Sequence, residues 1–283
     1  MPLVAVAVCF LVARHRVDVV AANHIDNLCF LSCISALITA RVAYRLSFLR
    51  EDESLWSIWL VWKGGGFLSH AGLLAGGIAA VGYMLAMRLP ALKIMDAMIP
   101  ALTLGQAVWR LGCYMSGCCW GKICSTSAAN TGEDVAISFG EHAMNWVKCI
   151  LSRVTVQYEA NSPTYVFQLR TGLLKDGAQA AIPVYPVQLY EMILCLLLWM
   201  LTCRRMKLNA PGQVFCAFGA SYAVGRYWLG FFRADCVPCA FGVSRSQVVW
   251  FLVGVITIVW FFVCGWRFSR CHGQLLTLDK SLG

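Results

Sequence analysis

The sequence predicts an all-α polytopic membrane protein, with about seven transmembrane helices and a small exported α/β head between spans four and five. Three observations carry that expectation. The chain is 59% hydrophobic and 13% charged, with a mean hydropathy of +0.67, against about 45–50% and about 25% in soluble domains. Apolar runs near the length of a bilayer crossing recur along it. The basic residues fall into alternate connections between those runs. A net charge of +9 would suit a nucleic acid, but no basic run interleaved with aromatics accompanies it. The expected partner of the positive charge is therefore the membrane bilayer, and no nucleic acid.

The candidate spans are 1–13, 27–47, 67–87, 95–114, 187–203, 213–232 and 247–266. A span needs about 20 mainly apolar residues, so the first is short. Arg14 and Arg16 follow it, whereas a signal peptide carries its positive charge in front; it reads as a first span coming in from outside. LWSIWLVW at 55–62 is too short to cross, and its tryptophans suit the interface. Gly64 to Gly66 form a flexible lead into the third span. Residues 122–185 are polar and mixed, and within them VTVQYEA and TYVFQLR alternate in the manner of short strands. That insert is the expected exported head, and 1–283 as a whole reads as a single integral membrane domain. No internal repeat or low-complexity tract is visible.

Orientation follows from lysine and arginine in short loops. With the N-terminus outside, the cytoplasmic side holds Arg14 and Arg16, then Arg88 and Lys93, then Arg204, Arg205 and Lys207, and last Arg267 and Arg270. The opposite side receives Glu51 to Glu53, the 122–185 insert and the loop 234–246. An N-out, C-in chain is the expectation.

Polar groups inside apolar spans mark functional sites, because hydrocarbon solvates them poorly. Four segments carry them. The densest is Arg110-Leu-Gly-Cys-Tyr-Met-Ser-Gly-Cys-Cys-Trp-Gly121. An arginine fork suits a phosphate bidentately; the plain alternative is that Arg110 reaches to the interface. In the second segment, His70 stands beside Gly72, Gly76 and Gly77, as a base, as a donor to an anion, or as a histidine used in helix packing. Its glycines allow close approach of a helix or of a ligand. The third, Tyr185-Pro-Val-Gln-Leu-Tyr-Glu191, opens a span with Pro186 suited to a first turn. Gln188 and Glu191 share a face there and either cap the helix or orient a site arginine. In the fourth, Tyr222 and Arg226 lie four apart on one face, with Arg233 following. Arg226 is too deep in its span to reach water easily. Two intramembrane arginines point to an anionic ligand, and a phospholipid headgroup is the obvious one in a bilayer. Arg41 and Tyr44, late in the second span, fit the same site.

Together these motifs resemble the prolipoprotein diacylglyceryl transferase family. The family's HGGLLGG-like segment reads His70-Ala-Gly-Leu-Leu-Ala-Gly-Gly77 here, and its GRxGNxxNGExxG signature keeps Arg110, Gly112, Gly117 and Gly121. Its HPxQLYE is Tyr185 to Glu191, its YGxxRxxxEFFR is Tyr222 to Arg233, its SxxQ is Ser244 to Gln247, and Arg41 with Tyr44 fit its GRxxY. The order is kept and most of 27–265 is covered. The departures are specific: the signature Asn and Glu fall on Cys113 and Cys118, the second histidine on Tyr185, and the acid before Phe-Phe-Arg on Gly230.

The resemblance implies a bacterial inner-membrane enzyme of lipoprotein maturation. It moves diacylglyceryl from phosphatidylglycerol to the lipobox cysteine thiol of a prolipoprotein signal peptide, near the periplasmic face. It implies His70, Arg110 and Arg226 as catalytic residues, and Arg41, Tyr44, Gly112, Gly121, Gln188, Glu191, Tyr222 and Arg233 as substrate-binding ones. No cofactor and no metal are expected. Three readings stand beside it: a related phospholipid-using enzyme with another acceptor, a non-enzymatic transporter or lipid-binding membrane protein, and a membrane thiol oxidoreductase.

The last rests on the cysteines, of which there are 15. Most lie in apolar spans and read as small hydrophobes. Cys113, Cys118 and Cys119, with Cys236 and Cys239 in a later loop, form a disulfide or thiol cluster on the expected oxidising side. A structural bridge in place of the lost Asn and Glu is the leading expectation. A redox centre lacks a thioredoxin-like context, and Cys-x4-Cys-Cys matches no common zinc finger.

Overall fold

The computed structural model describes residues 11, 19–48, 69–123, 155–174, 177–205, 210–234 and 243–282. The candidate first span, the tryptophan-rich 55–62, and Cys124, Cys236 and Cys239 lie outside the described residues. The chain divides into two compact units, Phe10–Met98 and Met1–Cys9 with Ile99–Gly283.

In the Phe10–Met98 unit, α1 (Val19–Phe48) packs along α2 (Ser69–Ala86). Glycines set how close they come. A Cβ at Gly72 would stand 2.8 Å from Ala36 O, and one at Gly76 3.0 Å from Ser32 O. Small residues four apart let backbones touch where lipid offers no hydrophobic drive to pair. The opposite face of α2 carries Leu73, 75% exposed, with Leu74 and Ile78, a surface suited to acyl chains. His24 Nδ1 and the Tyr83 hydroxyl meet at 3.0 Å across the pair. Leu28, Met84 and Ile94 form the local core.

α3 (Ala91–Ser116) runs from this unit into the next. Pro100 sits inside it and removes one ladder hydrogen bond. Buried Thr103 donates to Ile99 O (3.0 Å) and Pro100 O (2.9 Å), keeping its hydroxyl satisfied there.

In the Ile99–Gly283 unit, α5 (Val187–Arg205), α6 (Gln213–Leu229) and α7 (Arg245–Leu282) pack in sequence order. Their core is Ala107, Cys195, Leu198 and Tyr222, with Phe218 and Trp250 against it. A 3-10 turn, Gly230–Phe232, continues α6. α7 starts with a capping box: Ser244 N donates to Gln247 Oε1 (2.9 Å) and Gln247 N to Ser244 Oγ (3.2 Å). Gln247 Nε2 also donates to Tyr227 O at 3.2 Å. A Cβ at Gly230 would meet Gln247 Cγ at 2.6 Å, so this chain has no room for a side chain where the resembled motif has an acid.

Among the described residues four helices are long and apolar enough to cross a membrane: His24–Leu46, Ala91–Ser116, Val187–Arg204 and Ser246–Arg270. The apolar stretch of α2, Ala71–Ala86, and the 17-residue α6 are shorter. The architecture is helical throughout, with no β-strand among the described residues. Of the expected α/β head, the described residues of 122–185 show one helix and isolated bridges, and 124–154 lie outside the described residues. TYVFQLR lies in α4 (Pro163–Arg170), where Ser162 caps the start, its Oγ accepting from Tyr165 N at 3.2 Å, and Pro163 opens the first turn. Start signals outweighed the alternating pattern. VTVQYEA contributes only isolated bridges, Val156 to Val184 and Glu159 to Ala180.

Candidate active site

The site lies within the Ile99–Gly283 unit and is centred on one carboxylate. Glu191, in the second turn of α5, is 1% exposed. Three guanidinium groups converge on it from three other segments. Arg110 of α3 reaches Oε2 through Nε; Arg226 of α6 and Arg233 beyond the 3-10 turn reach Oε1, Arg233 Nη1 at 3.1 Å. Removing a carboxylate from water costs several kcal/mol, which cations at contact distance offset. The four-residue set carries two positive charges in excess. The arrangement can therefore receive the oxygens of an anion while Glu191 holds the forks in place.

Arg226 is further fixed by the Trp250 ring, whose centroid is 5.4 Å from its guanidinium carbon. Trp250 meets Tyr222 edge-on at 5.2 Å, and Tyr222 stacks on Phe218 at 5.6 Å. The Tyr222 hydroxyl accepts from Gln106 Nε2. Gln106 and Trp250 are positioning groups that the motif reading missed. Gln106 had a signal, because it stands four residues before Arg110 on the same helix face; Trp250 had none.

Gly121 closes the site's edge. Its N–H donates to Tyr185 O (2.9 Å), Tyr185 N to Lys122 O (3.1 Å) and Lys122 N to Phe232 O (2.8 Å). A Cβ on Gly121 would stand 2.6 Å from Tyr185 O and 2.8 Å from Phe232 O, so only glycine lets the three backbones meet. Tyr185, at the position of the resembled family's second histidine, is buried edge-on against Phe232. Gln188, 1% exposed, donates through Nε2 to Cys118 O (2.7 Å) and to the Tyr158 hydroxyl (3.2 Å). Burial pushes the Tyr158 phenol up to about 12. Gly112 is buried and accepts from Ser116 Oγ at 2.8 Å.

Cys113, Cys118 and Cys119 sit beside this node as thiols, with no disulfide among these three; the expected bridge to Cys236 or Cys239 lies outside the described residues. Their sulfurs all lie within 4.8 Å of one another. Hydrogen bonds from Cys113 and Cys118, reinforced by the Arg110 and Arg233 cations, hold the Cys119 thiol far below its usual value. Its bonds to Cys113 and Cys119, with burial, push Cys118 up.

The structure thus brings together Arg110, Gly112, Gly121, Gln188, Glu191, Tyr222, Arg226 and Arg233. Arg41, Tyr44 and His70 belong to the other unit. There Arg41 is buried on α1 and His70 is the second residue of α2.

Comparison with known proteins matches residues 1–264 to the family described as prolipoprotein diacylglyceryl transferase. The chain is 24% identical over 250 residues to the phosphatidylglycerol–prolipoprotein diacylglyceryl transferase of Clostridium tetani, covering 87% of this chain and 82% of that one. It is 26% identical over 245 residues to the Geobacillus kaustophilus protein of the same name, covering 84% and 77%. With the Rhodococcus jostii protein of that name the identity is 30% over 208 residues, covering 71% of this chain and 50% of the relative. A match over residues 1–264, on a helical membrane scaffold that buries the motif arginines around one glutamate, makes this chain a member of the prolipoprotein diacylglyceryl transferase family, a membrane transferase.

Proposed function

We propose that this chain transfers the diacylglyceryl group of phosphatidylglycerol to the thiol of a lipobox cysteine in a prolipoprotein. The observation that carries the reading is the convergence of Arg110, Arg226 and Arg233 on buried Glu191. In the proposed step the substrate thiolate attacks the glyceryl carbon that bears the phosphoester oxygen. A carbon–sulfur bond forms, the carbon–oxygen bond breaks, and its electron pair leaves on glycerol-1-phosphate.

Charge grows on the departing phosphate, so fixed cations facing it lower the barrier. Arg110 and Arg226 take that role; Glu191, Arg233 and Tyr222 position them. A cysteine thiol has a pKa near about 8.5, so it needs a base or a positive field to react as thiolate. His70 is the proposed base, acting directly or through water. The proposed lipid-binding residues are Gln188, Gly112 and Gly121 in this unit and Arg41 and Tyr44 in the Phe10–Met98 unit.

The proposed topology is seven spans in the bacterial inner membrane, N-terminus outside, C-terminus cytoplasmic, and the site near the periplasmic face. The alternate basic loops support it. A second reading, another thiol or hydroxyl acceptor on the same lipid site, is favoured by one observation: thiols stand at two polar positions of the signature.

The test is transfer from labelled phosphatidylglycerol to a lipobox peptide by the purified protein, beside the same peptide with serine for cysteine. Label on the cysteine peptide alone is the expected result. Lipid binding with no label on either peptide would favour the second reading.

A further inference from the structure

The three thiols at the end of α3 are held together by the helix cap itself. Gly117, at φ 65°, takes the left-handed turn that ends the helix. Gly117 N donates to Tyr114 O (3.2 Å) and Cys118 N to Cys113 O (3.1 Å), the pair of bonds of a Schellman cap. That cap ordinarily brings two apolar side chains together across its ends; here it brings Cys118 onto Cys113. Cys119 then adopts φ 58°, a left-handed conformation that costs a non-glycine residue about 1–2 kcal/mol. Such strain is retained where the surroundings use it, and here it places a third sulfur with the other two, all within 4.8 Å.

The sequence spacing resembles no zinc finger because the geometry comes from a helix cap and not from a finger loop. Metal–sulfur bonds of about 2.3 Å set thiolates about 4 Å apart, so closure needs only small side-chain movements. Thiolates select soft cations. Arg110 and Arg233, whose charge acts on Cys119, offset the negative charge that three thiolates bring. Gln188 holds Cys118 O through Nε2 and, among the described residues, its buried Oε1 has no hydrogen-bond partner, an acceptor on the side chain that touches the cluster.

We propose that Cys113, Cys118 and Cys119 form a three-thiolate site for a soft cation, Zn(II) or Cu(I), built on the cap of α3. Each S–H that becomes a metal–sulfur bond releases its proton to solvent, and no electron is transferred.

The test uses the full chain in detergent, reduced, kept anaerobic and stripped with chelator. It is titrated with Zn(II) against a chromophoric chelator and, separately, with Cu(I) against a competing ligand. One equivalent of one of the two ions is expected to bind and to protect all three thiols from alkylation, mapped by peptide mass. Cys118→Ser and Cys119→Ser should each weaken binding by more than the about 10–100-fold that losing an outer-shell partner costs, while Cys33→Ser keeps it. Protection mapping on the unsubstituted chain stands independently of how the variants fold. Unprotected thiols, unchanged affinity in both variants, or a disulfide that forms among the three in the presence of metal would each overturn the site.

Discussion

Two polar clusters share the end of α3, and they are assembled in opposite ways. The arginine node draws on residues 110, 191, 226 and 233, from three stretches far apart in sequence, Arg226 and Arg233 sharing one. The thiol cap is made by residues 113–119 of one helix end. The node exists only when α3, α5, α6 and the segment after the 3-10 turn are all in place, so its charges are held by the fold and its loss is expensive. The cap is closed by its own backbone bonds, and Gln188 and Thr164 only hold the carbonyls of Cys118 and Gly117 from outside. Long-range assembly goes with the charges that hydrocarbon cannot solvate; local assembly suffices to bring three small side chains of one helix end together.

Breaking the node should produce the largest effects. Arg226→Ala should lower transfer to the lipobox peptide by at least about 10²–10³-fold, the loss seen when one donor facing developing charge is removed; full turnover would remove Arg226 from the mechanism. Glu191→Ala leaves three guanidinium groups without their shared carboxylate and should destabilise the protein by about 3–5 kcal/mol. Thermal unfolding in detergent reads that loss, and an unchanged midpoint would mean that solvent or lipid already compensates the arginines.

Smaller changes sharpen the contrast. Gly121→Val drives a side chain against Tyr185 O and Phe232 O and should cost about 1–3 kcal/mol, as overpacking does, with transfer falling alongside. Tyr222→Phe keeps the stack on Phe218 but loses the Gln106 hydrogen bond. A loss of about 1 kcal/mol is expected, with Arg226 still seated on Trp250. The smallest effect runs the other way: Cys119→Gly relieves the left-handed strain and should raise the unfolding midpoint of the metal-free protein by about 1 kcal/mol equivalent. A fall would mean that the Cys119 side chain contributes more than its backbone costs.

The node was legible in sequence because charges in apolar spans have few explanations. Arg110, Glu191, Arg226 and Arg233 each stood out singly, and the spacing of Tyr222 and Arg226 put them on one face. The one carboxylate shared by three arginines was not legible, since side-chain pairing across helices leaves no periodic trace. Trp250 was invisible for the same reason, being one aromatic among many in an apolar span. The expected strand at TYVFQLR failed because a seven-residue pattern, about two helical turns, is too short to separate strand from helix, and Ser162-Pro163 fixed the choice. The cap geometry of Cys113 to Cys119 was hidden behind a search for finger spacing. Gly117 followed by two cysteines at a helix end was the available signal.

The packing of Gly230 against Gln247 has an evolutionary consequence. In this chain a side chain at 230 and the present placement of Gln247 exclude each other, while Gln247 also caps α7 and holds Tyr227 O. The resembled motif carries the acid and the glutamine together, so an acid at 230 demands another side-chain placement of Gln247 and not another residue. A scan of single substitutions would score 230 by how readily Gln247 leaves its cap, and shortening Gln247 to Ala beside a substituted 230 would show whether that side chain is the whole obstacle.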